Sequence, residues 1–282
     1  MKKITTLMIT ALFASSAMNV WAQSANTINA ATNYSETEWE HYAADNYAGG
    51  TGTKNDPYLI STPEQFMKLA VEIENLGQVD DNWDGDYTKG KYFKQTADLV
   101  FNEGVMNKVS GASGDASIID NSTLRTFKGI GYKAGDVDYQ RFAGTYDGDG
   151  HAIIGMYHNN AKNSGSGVFN FIEGATIRNL IVKEAYINAN ANVGLVVGYA
   201  DAGSLIINCQ SSGIIYCGGS YHAGIVGALQ SSKMLNCFSD AWVWAKNQTG
   251  GLCGRIMKSA YVGNSYFSGW IGGVYSNMGK FK

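Results

Sequence analysis

The chain has 282 residues, with 35 glycines, 2 prolines, 12% aromatic residues and a formal net charge of −3. Many short strands joined by tight turns fit that composition, and a helical bundle does not. Residues 201–282 carry six Lys/Arg against Asp201 and Asp240, a local net of +4 on an otherwise acidic chain; a dedicated nucleic-acid binder needs more positive charge and tighter clustering.

Residues 1–22 have the form of a secretory signal peptide. Lys2 and Lys3 open it, Ile4 to Met18 is apolar, and Val20-Trp21-Ala22 is a small-x-small cleavage site before Gln23. The apolar run is too short to span a bilayer, and no other segment of the chain would. No cysteine lies near the cleavage site, so a lipoprotein anchor is not expected. The chain is therefore expected to be secreted or held at the cell surface, with no transmembrane segment in its mature form. Loss of Lys2 and Lys3 takes the net charge from −3 to −5.

Residues 23–48 are polar and aperiodic and read as a leader or linker. A cap and first strands with long loops are expected over 49–140. Gly49 to Lys54 has a superficial likeness to a phosphate-binding loop, but the spacing is wrong and Asn55 follows the lysine. Tyr58-Leu59-Ile60 reads as a strand. Thr62 is a good N-cap, Pro63 suits the first helical position, and Gln65 completes a capping box. Phe66, Leu69, Ala70, Ile73 and Leu76 recur at helical spacing and Gly77 ends the pattern. This helix has one apolar face to bury, as a cap on a repeat array does. Residues 78–91 read as a polar loop, Tyr92 to Phe101 as one or two strands, residues 102–126 as a surface excursion, and Phe127 to Gly131 as a short strand and turn. The stretch FAGTYDGDGHAIIGM, Phe142 to Met156, reads as a hairpin turning at Asp147-Gly148-Asp149-Gly150.

From Val168 the chain repeats. Asn179, Asn208, Asn236 and Asn264 lie 29, 28 and 28 residues apart. Two positions before each stands Ile177, Ile206, Met234 or Val262; seven after stands Tyr186, Ile215, Val243 or Ile271. Gly198, Gly227 and Gly254 form another column. A period of this length, built of short strands, makes one solenoid coil per repeat. Equivalent side chains then stack about 4.8 Å apart, with the aliphatic columns as core and the asparagines hydrogen-bonded along a bend as a structural ladder.

Gly224-Ile225-Val226-Gly227 with Asn236-Cys237, and Gly251-Leu252-Cys253-Gly254 with Asn264-Ser265, resemble the GLUG-motif repeats of exported bacterial surface proteins of the Bacteroidetes type. The upstream GTGTKNDPYLISTPEQFMKLA and FAGTYDGDGHAIIGM also resemble entry segments of such proteins, so the resemblance covers roughly 49–275. It implies an all-β, right-handed parallel β-helix of about 28 residues per coil, with GLUG-type repeats over 141–282 and an N-terminal capping helix. Such repeats also flank the catalytic part of IgA-cleaving zinc metalloproteases. This chain departs from that pattern, because His41, His151, His158 and His222 form no H-E-x-x-H.

No catalytic residue, cofactor or metal site is expected. A β-helix lyase or glycosidase needs acids converging from neighbouring coils, whereas Asp240 stacks with Lys183, Ser212 and Ser268, Asp201 with Gln230 and Met257, and Glu184 with Gly213, Ala241 and Gly269. Asp147 and Asp149 lack the remaining ligands of a calcium loop. Cys209 and Cys237 share a column at disulfide-compatible Cα spacing, and free buried thiols are favoured over a bond. Cys217 and Cys253 have no evident partner.

The aromatics are the informative departure from the repeat pattern. Six positions past the asparagine the column is Ala185, Ile214, Trp242, Trp270; eight past it is Ile187, Tyr216, Trp244, Gly272. With position seven inward, strand alternation turns these outward. Tyr216, Trp242, Trp244 and Trp270 then form a patch of the kind that marks binding, unless another segment covers it. The expected function is an exported, non-enzymatic, adhesin-type binding module, its ligand a glycan or a host/matrix protein. A polysaccharide-active enzyme, with acids in loops 78–91 and 111–140, and a stalk presenting a further domain are the alternatives. Because Gly272 to Lys282 offers no obvious cap, the repeats are expected to be C-terminally incomplete: either the natural chain continues past Lys282, or another copy stacks on the open last coil and the chain self-associates.

Overall fold

A computed structural model describes residues 34–76, 87–108, 120–131 and 140–273. The signal segment, Gly77, most of loops 78–91 and 111–140, and all but the first two residues of the tail lie outside the described residues. The architecture is the expected one: a mostly β, parallel solenoid of about five turns, with coils of about 28 residues and one N-terminal helix.

Each full coil visits four sheets in turn. The coil beginning at Phe169 runs through Phe169–Glu173, Thr176–Arg178, Ile181–Asn188 and Ala191–Gly194. The next coils repeat that path, so every ladder joining these strands is parallel. The longest unbroken ladder has seven strands, from Tyr58–Ile60 to Tyr261–Gly263. No one coil could bury its own inward row. Stacking does so: Ile177, Ile206 and Met234 are register partners and fully buried, each burial worth about 1.5–3 kcal/mol. The glycine column marks where neighbouring backbones approach. A Cβ on Gly227 would lie 2.4 Å from the backbone of Asn192 and Val193 and 2.6 Å from the Gly198 oxygen, which leaves room only for hydrogen.

Helix α1, Pro63–Leu76, closes the N-terminal end. Thr62 accepts from the Gln65 N–H at 3.3 Å, but the Gln65 side chain reaches back to the N–H and hydroxyl of Ser61, one residue further than a capping box requires. Phe66 stands edge-on to Phe101, Phe127, Tyr146 and Phe169. The core beside the helix is therefore aromatic where the later layers are aliphatic.

Three expectations need correction. Residues 34–48 are packed rather than a linker: Trp39–Tyr42 forms a 3-10 turn and Trp39 joins the main core. One buried anchor has no period, so hydrophobic patterning misses it. Next, Phe142 to Met156 is not a hairpin. Thr145–Asp147 and Ala152–Ile154 lie in different sheets and pair in parallel with neighbouring coils; the Asp-Gly-Asp-Gly turn is a corner of the solenoid. Finally, Tyr186 does not point inward. Glu184 has φ 51° and introduces a bulge, so Tyr186 pairs with Ile214, and Ile187 takes the inward place beside Ile215.

Candidate functional site

The asparagine ladder forms as a row of side-chain bonds. Asn236 Nδ2 donates to Asn208 Oδ1 at 3.2 Å, Asn208 to Asn179 at 3.1 Å, and Asn179 to Asp147 Oδ1 at 2.9 Å. Asn179, Asn208, Asn236 and Asn264 all have φ near 50°, the left-handed conformation that asparagine tolerates. Asp147 ends the row. Burial pushes its carboxyl up, but hydrogen bonds from Asn179 and the Asp149 N–H and the charge of Arg178 outweigh that and hold it below the usual range. Asp147 pairs with Arg178 and Asp149 with Lys94, so each acid faces a cation.

All four cysteines are free. The thiols of Cys209 and Cys237 point at carbonyls of their own corners, Ile207 O at 3.4 Å and Leu235 O at 3.2 Å. Among the described residues no three His, Cys, Asp or Glu side chains gather as a metal site would need. One pair of acids does meet that was not anticipated: Glu173 and Asp201 are register partners. Each is already held, Glu173 by Arg141 and Asp201 by Gln230 and the Ala202 N–H, so the pair braces adjacent coils.

The aromatic residues share one outward face. From Cys237 to Ala245 burial alternates strictly: Cys237, Ser239, Ala241, Val243 and Ala245 are inward and buried, while Phe238, Asp240, Trp242 and Trp244 face out. Trp242 pairs with Ile214 on one side and Trp270 on the other; Trp244 pairs with Tyr216 and Gly272. Trp242 is 48% and Trp270 44% exposed. The Trp270 indole runs along its strand over Gly272, where an added Cβ would lie 1.8 Å from the ring. It thereby packs on Trp244, ring centres 4.2 Å apart and 45° between planes.

The face is covered at one end and open at the other. Tyr157, Tyr186 and Ile214, which continue the Trp242 column towards α1, are buried beneath Val105 and Leu124, and Tyr216 and Trp244 pack against that cluster. Of the four residues expected in the patch, Trp242 and Trp270 are open, and Tyr216 and Trp244 are half-buried supports. Sequence reasoning missed a second ring pair on the same face, half-buried Phe238 and exposed Tyr266, two positions past the asparagine column. Extending the column alignment by two outward steps, past Asp240 and Ser268, finds them.

No protein-family model and no curated protein matches this chain. Among solved structures it is similar to one described as a "putative immunoglobulin A1 protease from Bacteroides ovatus". The TM-score is 0.48 and the identity 21%, over 81% of this chain and 70% of that one.

Proposed function

We propose that this chain is an exported, non-enzymatic binding module that holds carbohydrate on the outward face built by Trp242 and Trp270. The observation that carries the reading is the exposure of two tryptophans in register on adjacent coils of a rigid sheet. A soluble fold gains nothing from keeping two indoles in water, and contiguous exposed aromatic surface marks contact with something else. Indole is flat, rigid and amphipathic. The C–H face of a sugar ring packs on it without desolvating hydroxyls, which stay at the rim. Trp244 and Gly272 fix the Trp270 ring in place, so little side-chain entropy is lost on binding. Cell-surface or secreted placement is part of the proposal and rests on residues 1–22.

The test is an array of oligosaccharides and matrix proteins probed with the mature chain and with Trp242→Ala/Trp270→Ala. Both side chains are half-exposed, so the variant is expected to keep its circular dichroism and lose glycan binding at least ten-fold. Glycan binding unchanged in the variant, or binding by the wild type to matrix proteins alone, would overturn it.

A further inference from the structure

We infer that the face continues across Asp240 to a second ring pair, Phe238 and Tyr266, and that the whole row takes an extended, neutral polysaccharide lying along the strands. This rests on the carbohydrate reading above and adds the ligand's length, direction and charge. Phe238 and Tyr266 are register partners, with ring centres 4.5 Å apart. Tyr266 is 64% exposed, more than either open tryptophan. The same period-two alternation puts Phe238, Asp240 and Trp242 on one side of the sheet, and Tyr266, Ser268 and Trp270 beside them.

The two ring pairs are therefore separated by one polar step, Asp240 and Ser268, both exposed. The polar step lies between strands of one sheet: Phe238–Ser239 ends before Trp242–Ala245 begins, and Tyr266–Phe267 before Trp270–Gly273, with a bend at Gly269. Four residues span at most roughly 13 Å, and with the polar step between the pairs a monosaccharide fills one pair and only a chain fills both. The order ring, polar group, ring suits such a chain: apolar sugar faces pack on the rings, and hydroxyls between them meet Asp240 and Ser268. Asp240 is the only charged residue in Phe238–Trp244 and Tyr266–Gly272. It forms no ion pair among the described residues. An ionised carboxylate only accepts hydrogen bonds, so it takes sugar hydroxyl donors and repels a glycan bearing carboxylate or sulfate.

The experiment is calorimetric titration of the mature chain with β-1,4-linked glucose, N-acetylglucosamine and mannose oligomers of two to six units, with galacturonate oligomers as the acidic comparison. Wild-type affinity for at least one neutral series should rise about ten-fold or more as the oligomer grows to span both pairs. Tyr266→Ala should abolish that rise while leaving dimer affinity within two-fold, and Tyr266→Phe, which keeps the ring, should restore it. Asp240→Asn should narrow the gap between neutral and acidic oligomers. A rise that survives in Tyr266→Ala, or tighter binding of the galacturonates, overturns the extension while the tryptophan reading stands. No binding of any neutral oligomer by the wild type overturns both.

Discussion

Glu40 is 2% exposed, and one of its two carboxylate oxygens makes no hydrogen bond among the described residues. The other accepts from the Lys128 N–H at 2.9 Å. Burial pushes its pKa up to about 7 against the pull of that bond and of the Lys128 charge. A carboxyl raised in the fold stays protonated there while the unfolded chain loses its proton. Its support is therefore complete below the ordinary carboxylate value and lost as pH rises through about 7. His158 has the opposite sign. Burial lowers it to about 4, so the fold loses stability as pH falls from about 6.5 towards 4, where the unfolded chain takes up a proton first. Between pH 4 and 6.5 the two slopes oppose each other. Glu40→Gln removes one of them. It should stabilise the protein at pH 8 by on the order of 1–3 kcal/mol, have little effect at pH 4, and steepen the rise of stability with pH between 4 and 6.5. Urea denaturation at pH 4, 6 and 8 checks all three; a uniform loss at every pH would mean that the carboxyl is needed in both states. Neither residue is legible as buried in the sequence, because Trp39 and Glu40 sit in a stretch without period and His158 lies beside an exposed asparagine.

Among the elements, the corners show what sequence can and cannot reveal. The asparagine column was legible because one residue type meets two demands at Asn179, Asn208 and Asn236, a left-handed φ and a bond to the neighbouring coil, while Asn264 shares the φ. The Asp147 corner was misread because a turn signal says that the chain reverses locally, not which strands then pair. The Glu184 bulge left no mark, since glutamate has no preference for φ 51°. That gap had a direct consequence for the site: it put Ala185 in the column that Tyr186 occupies. Two predictions belong here. Asn208→Gly keeps the backbone but loses both ladder bonds and should cost about 1 kcal/mol; Asn208→Ala adds the left-handed strain and should cost about 2. Equal costs would mean that the left-handed strain contributes nothing, and no loss in Asn208→Gly would mean that the ladder bonds contribute nothing. Glu184→Gly should be neutral or stabilising by up to about 1 kcal/mol, and a clear loss by chemical denaturation would mean that the glutamate side chain, not the bulge, matters there.

For the whole molecule, the stacked columns turn position along the solenoid into burial. Ile187, Ile215 and Val243 share one inward column and are fully buried, and Ile271, next in register, is 45% exposed. A second column does the same: Ile172, Ala200 and Leu229 are buried and Ile256 is 56% exposed. The fold was legible at this scale because each column repeats the same chemistry, and the face with its tryptophans followed from strand alternation alone. What covers that face was not legible, since Val105 and Leu124 come from loops with no repeat. The gradient gives the last prediction. Val243→Asp buries an unpaired charge and should cost several kcal/mol; Ile271→Asp, one coil on, should cost less than about 1. If Ile271→Asp is as costly as Val243→Asp, something covers the last described coil in solution. Melting at two protein concentrations then identifies it. A second copy stacked on that coil, the self-association proposed for this end, makes the wild-type melting temperature rise with concentration and Ile271→Asp abolish the rise. Cover from the same chain leaves both melting temperatures independent of concentration.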